Sequence, residues 1–343
     1  MLEQLLKERY VPGLRSREEM LATIQKHVYG ILPPKPTALR WEEKKDYIPW
    51  FCAGKASYTM VTLTCALMGQ EFSFPVSCVI PTDGGKHPFF VHINFRPDVP
   101  DRYQPTEELV DNGFAVLSFC YNDITKDNAD FTDGLAGILY KDGQRGESDP
   151  GKIAMWAWAA QRVMDYAQTL DCLDLDHGCV CGHSRLGKTA LLAAATDERF
   201  AFCYSNNSGC GGASLARSTK GETVKAICGL FPYWFCQNYQ KYIENEQAMP
   251  CDQHYLIASI APRKVCIGNS WEDVWVEPAS ELLSALAASP AFETGIVCED
   301  RLPVIGDVFF DGAIGYHLRA GKHYFSREDW LKLMDFINRK TTE

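Results

Sequence analysis

From about residue 58 onward, short apolar runs alternate with stretches whose apolar positions recur every three to four residues. The short runs cover 72–80, 89–95, 114–121, 178–182, 202–205 and 264–268, lengths that suit buried strands. The helical stretches cover 106–112, 153–169, 186–195, 281–288 and 326–338. Strand and helix in alternation predict a mostly parallel sheet covered on both faces, because each parallel crossover must return over the sheet. The first forty residues differ. Ser16 and Glu19 are spaced as a capping box before an amphipathic run at 20–28, and Pro33-Pro34-Lys35-Pro36 stops it. The expected organisation is a helical arm over 1–40 and one α/β domain over 41–343, with no internal repeat, low-complexity tract or long linker.

Composition narrows the function classes. Of 343 residues, 46% are hydrophobic and 23% charged, which is ordinary globular content and rules out disorder. Forty-four acidic against 34 basic residues give a formal charge of −10, with no Lys/Arg tract, so nucleic acid is a poor partner. No window approaches 18 consecutive apolar residues, and no membrane span is expected. The 14 cysteines are scattered singly, without C-x-x-C, which leaves zinc ribbons and thiol redox motifs unsupported. The opening MLEQLLKERY turns charged within seven residues and lacks a signal-peptide core. Thiol-rich and signal-free, the chain reads as cytoplasmic; a secreted chain relieved of its leader would read the same. Oligomeric state is not legible.

The sharpest local signal begins at Cys179-Val-Cys-Gly-His-Ser-Arg-Leu-Gly-Lys-Thr-Ala. A short apolar strand runs into Gly182-His183-Ser184, and a small-residue-rich helix follows. That is the strand–turn–helix setting of a nucleophile elbow, which strains a serine so that its oxygen stands above the sheet. The N–H of Arg185 would then face a developing oxyanion. The pattern departs from G-x-S-x-G: Leu186 holds the second glycine position and Gly187 comes one later. Taken alone, the stretch is equally a βα junction in which Ser184 merely caps the helix.

An α/β-hydrolase supplies its acid and its base, in that order, after the serine. After the 264–268 run comes Asn269-Ser-Trp-Glu-Asp-Val-Trp-Val-Glu-Pro278, where Glu272, Asp273 and Glu277 compete for the acid. Further on, Gly315-Tyr-His-Leu-Arg-Ala-Gly-Lys-His323 offers two histidines. His323 precedes a helix opened by Ser326 with Asp329 as capping partner, so a base there reaches over the sheet edge. His317 reads as a structural histidine in the preceding loop. Position in the chain order favours His323.

These residues, with Asn206-Asn-Ser-Gly-Cys-Gly-Gly-Ala213, Trp234-Phe235, Pro250-Cys-Asp-Gln-His254 and Ala261-Pro-Arg263, resemble carbohydrate esterase family 15, the glucuronoyl methylesterases, in its bacterial branch. Further matches are Met155-Trp-Ala-Trp158, Arg162-Val-Met-Asp165, the Asp273–Pro278 loop and the stretch ending at His323. The similarity runs from about residue 70 to the C-terminus. It implies an α/β-hydrolase three-layer sandwich, a mostly parallel sheet between helices, that cleaves esters of (4-O-methyl-)glucuronic acid on xylan-derived saccharides. It implies Ser184 as nucleophile, His323 as base, Arg185 at the oxyanion, Lys188 on sugar hydroxyls and Trp275 lining the sugar subsite. Without the resemblance Lys188 would read as a solvated helix lysine. The fungal acid after the elbow helix is replaced by Asn207-Ser208-Gly209, so the acid falls to Asp273, with Glu272 and Glu277 behind it. Pro232-Tyr233 replaces a sugar-contacting glutamate before Trp234, and 92–100 diverges from the usual oxyanion-side loop. An Arg185/Lys188 basic pair suits a substrate whose uronate is masked as an ester. No cofactor or metal is called for, and the expected partner is a glucuronate ester saccharide. Acetylxylan or another small carbohydrate ester, and a non-catalytic carbohydrate binder, are the alternatives.

Overall fold

The computed structural model describes residues 1–218 and 220–341. Among them the strands are β1 (Ala38–Lys44), β2 (Ala56–Leu67), β3 (Gln70–Pro81), β4 (His87–Asn94), β5 (Ala115–Cys120), β6 (Leu173–His183), β7 (Phe202–Asn206), β8 (Lys264–Ser270), β9 (Val308–Phe309) and β10 (Ile314–Arg319). They form a single sheet in the order β1-β2-β3-β5-β4-β6-β7-β8-β10-β9. From β5 through β10 neighbouring strands run parallel, whereas β1, β2, β3 and β5 pair antiparallel, as do β9 and β10. Alternation along the central strands feeds two cores. Val265 and Ile267 enter one apolar cluster and Cys266 the other; Val180 and Cys181 divide likewise. The helices Lys152–Ala167 and Arg185–Thr196 cover one face, and Thr106–Asp111 and Arg327–Thr341 the other.

The six strand runs and five helical stretches expected from periodicity are present, with ends shifted by a few residues. Four strands were not expected. β2 alternates Val61, Leu63 and Cys65 with threonines, so its apolar side is diluted in sequence yet fully buried. β10 carries Gly315, His317 and Arg319, which read as loop. Pairing to β8 and bonds from Tyr204 and Asp329 absorb its polarity. At the N-terminus the Ser16/Glu19 capping box forms and opens the helix Arg17–Ile24. Met20, Ile24, Val28 and Tyr29 then join the larger core, and Arg17 donates to Ser259 O at 2.9 Å and Ala195 O at 2.8 Å. Among the described residues no helix is long and apolar enough to cross a membrane.

Candidate active site

β6 ends at His183, and the helix Arg185–Thr196 starts one residue after Ser184. Ser184 takes φ 59° and ψ −127°, a conformation a non-glycine residue adopts only when its surroundings hold it there. They do: its N–H donates to Asn206 O at 2.8 Å, and its carbonyl accepts from Gly187 at 2.9 Å and Lys188 at 3.2 Å. A Cβ at position 182 would overlap the Leu186 carbonyl, so the chain needs glycine to turn this tightly. At Gly187 a Cβ would lie 3.1 Å from both Ser205 Oγ and Ser208 Cβ. The glycine one place late therefore serves close approach to the next strand, while Leu186 is fully buried.

The loop after β10 carries His323 to the loop after β8, where its Nδ1 lies 2.5 Å from Asp273 Oδ2. The same oxygen accepts from Asn207 Nδ2 at 2.7 Å, and Asn207 also donates to Ser270 Oγ at 2.6 Å. Asp273 is buried, whereas the His323 side chain is 41% exposed to the cavity mouth. Of the three carboxylates left open by sequence, Asp273 is the one that meets the imidazole. Glu272 is exposed, and Glu277 accepts from Arg9 at 3.2 Å. His317 is not in a loop, as expected, but inside β10. It is buried with Nε2 2.9 Å from Tyr204 Oη, and burial pushes its pKa down to about 3.

Ser184, Arg185, Lys188, Trp275, Asp273 and His323 all line one cavity of about 300 Å³. A groove of about 550 Å³ beside Tyr324 is larger but contains neither Ser184 nor His323, so chemistry rather than volume selects the site. The Arg185 guanidinium pairs with Asp127 and lies 4.6 Å from the Trp234 ring centre. Asp127 also accepts from Trp234 Nε1 at 2.6 Å and Tyr121 Oη at 3.2 Å. At the end of β4, where this fold often offers a second oxyanion N–H, the Phe95 amide is held by Asn94 Oδ1 at 2.7 Å.

Lys188 is buried rather than solvated. Its Nζ donates to Ser208 O at 2.6 Å, Cys210 O at 2.5 Å and Glu222 Oε2 at 2.9 Å, which uses all three ammonium hydrogens. Glu222 Oε1 accepts from Trp275 Nε1 at 3.0 Å, so lysine, glutamate and indole form one wall. Asp127 and Glu222 were missed from sequence. They lie 58 and 34 residues from their cationic partners, in loops without periodic signal. Among the described residues no group of three His, Cys, Asp or Glu side chains is placed to hold a metal ion.

A family model described as glucuronyl esterase, fungi, matches residues 63–294. Carbohydrate esterase MZ0003, from an unknown prokaryotic organism, is 39% identical over 241 residues, covering 69% of this chain and 56% of that protein. The 4-O-methyl-glucuronoyl methylesterase 1 of Wolfiporia cocos is 27% identical over 292 residues, covering 81% of this chain and 66% of the relative. The chain thus spans less than two thirds of the length of either relative. Among solved structures, a promiscuous esterase of carbohydrate esterase family 15 from a marine bacterial metagenome superposes with a TM-score of 0.83 at 30% identity. That match covers 94% of this chain and 90% of the other.

Proposed function

The chain belongs to the glucuronoyl esterases of carbohydrate esterase family 15, and from that premise we propose that it hydrolyses esters of (4-O-methyl-)glucuronic acid carried on saccharides. The observation that carries the reading is the convergence of strained Ser184, the His323–Asp273 pair and the Arg185 guanidinium on one cavity. Ser184 Oγ attacks the ester carbonyl carbon. His323 Nδ1 is engaged by Asp273, so Nε2 takes the serine proton. Asp273 holds the ring and balances the imidazolium. Charge on the carbonyl oxygen is met by the Arg185 N–H, which has no acceptor within the first helical turn, and by the guanidinium. The tetrahedral adduct collapses, the C–O bond to the alcohol breaks, and His323 gives its proton to the leaving oxygen. Water, deprotonated by the same histidine, then releases the glucuronate and restores Ser184.

Lys188, Glu222 and Trp275 fit the acyl side. Lys188 spends its hydrogens on Ser208, Cys210 and Glu222, so in this reading it fixes the glutamate, which faces the sugar hydroxyls beside the exposed indole of Trp275. The test is direct. Methanol should be released from methyl glucuronate faster than acetate from acetylated xylo-oligosaccharide, and a fluorophosphonate should label Ser184. Faster acetate release would overturn the substrate, and an unlabelled Ser184 the chemistry. Family membership also corrects the cytoplasmic placement, because glucuronoyl esterases are secreted enzymes acting on polysaccharide. The expectation rested on the thiols together with an opening that lacks a signal-peptide core. Burial raises the pKa of each thiol, so their number reports core packing rather than compartment.

A further inference from the structure

His183, the residue before the nucleophile, is buried and has no part in the reaction written above. Its ring centre lies 4.4 Å from that of His323, with the planes tilted by 45°. Phe95, Tyr103 and Phe325 surround it at 6.0–6.3 Å between centres. Its Nδ1 lies 2.7 Å from Asn206 Oδ1. The orientation of that amide follows from its other contacts. Asn206 Nδ2 faces the Gly268 carbonyl at 3.4 Å, which can only accept, and Tyr204 Oη at 3.2 Å. Asn206 Oδ1 must therefore point to His183, and an acceptor there requires hydrogen on Nδ1. Tyr204 Oη continues the chain to His317 Nε2 at 2.9 Å, so the lock is anchored across three strands.

We propose that His183 is a positioning residue for His323: a ring locked in its Nδ1–H tautomer by Asn206, which supports the base from one side as Asp273 holds its edge. The proposal rests on His323 being the base of the proposed reaction. Burial, and next the adjoining His323, push the pKa of His183 well below the ordinary histidine range, with Arg319 adding to the effect. The supporting ring therefore stays neutral while its neighbour gains and loses a proton. A second cation there would oppose the imidazolium; an uncharged aromatic ring attracts it. Asp273 alone leaves the imidazole free to pivot about one hydrogen bond, and displacement by about 1 Å is enough to cost on the order of 100-fold in rate.

Two substitutions separate the ring from its hydrogen bond. His183→Gln keeps a donor for Asn206 and removes the ring; His183→Phe keeps the ring and removes the donor. With methyl glucuronate, His183→Gln should lose about 10- to 100-fold in kcat at nearly unchanged KM. His183→Phe should recover much of that loss. A Gln variant with full kcat, or a Phe variant no better than Gln, would overturn the role. Nitrogen-15 histidine NMR of the unaltered protein needs no variant to fold. It should show His183 neutral and protonated at Nδ1 between about pH 5 and pH 8; an imidazolium or an Nε2–H ring would refute the lock. Failure of the underlying reading would look different, since the unaltered protein would then not turn over the ester.

Discussion

Asp127 offers the most exacting test of the proposed oxyanion site, because it touches no reacting atom. Its Oδ2 takes Arg185 and Tyr121, and its Oδ1 takes Trp234 Nε1 at 2.6 Å. Asp127→Ala leaves the guanidinium its ring contacts, 4.6 Å from Trp234 and 5.4 Å from Phe231, but removes its one charge-assisted anchor among the described residues. Removing an oxyanion donor outright costs about 10²- to 10³-fold in kcat, roughly 3–4 kcal/mol in the barrier. That is the ceiling, set by Arg185→Ala. Misdirecting the donor should cost less, about 10- to 100-fold, with KM little changed. The Arg185 and Asp127 side chains are 24% and 11% exposed, so solvent screens part of their attraction and the lower half of that range is expected. Asp127→Asn, which still accepts from Trp234, controls for movement of the indole. The assay is steady-state methanol release by Asp127→Ala, Arg185→Ala and the double variant. If Asp127 acts through Arg185, the double variant is no slower than Arg185→Ala. Multiplying losses, or an Asp127→Ala enzyme at full rate, would refute the reasoning.

Other outcomes follow from the same structure. Asp273→Asn should lower kcat by about 10⁴-fold, as loss of a triad carboxylate does elsewhere, while Ser184 still labels slowly with fluorophosphonate. Glu222→Gln should raise KM for the uronate ester and loosen the wall, read as a lower melting temperature, because Lys188 keeps a buried charge without its counter-ion. Glu281 is fully buried, and burial pushes its pKa up to about 8 although Gly209 N–H and Asn269 donate to it. A raised carboxyl pKa contributes stability that is complete below the unfolded value and lost as pH climbs through 8. Melts from about pH 5 to pH 8 should therefore fall more steeply for the native protein than for Glu281→Gln; parallel curves would count against it. Native thiol titration should reach only Cys52, Cys172 and Cys298, the partly exposed ones, with the rest reacting after unfolding.

What the sequence showed of the fold was whatever a local period could encode. The run at 178–182 is buried throughout, as is 264–268 after its opening lysine, and both read as strands because nothing polar interrupts them. β10 is as buried as they are, but it contains a histidine and an arginine whose partners, Tyr204 and Asp329, come from elsewhere in the chain. No window over 314–319 contains that compensation. The same holds for the site. Ser184 and Arg185 are adjacent at the elbow and were legible together, whereas Lys188, four residues on, needed the family resemblance. Asp273 and His323 needed chain order and family resemblance, since 50 residues separate them.

The cavity itself shows what was lost. Arg185 and Lys188 read from sequence as a free basic pair beside the nucleophile, a local exception in a chain of net charge −10. In the structure each meets a carboxylate from a distant loop: Arg185 meets Asp127, and Lys188 meets Glu222. His323 adds a third such contact with Asp273. Unpaired, a buried and a half-buried cation would attract any anion and hold a released uronate tightly. Paired, they leave directed N–H bonds and little net field, so a neutral ester enters without electrostatic cost and its acid product is not trapped. In the proposed reaction the field then changes only when His323 takes the serine proton and charge appears on the substrate oxygen. A site whose cations are already paired at rest discriminates for that moment, because the guanidinium gains most from an oxygen that has just become an anion.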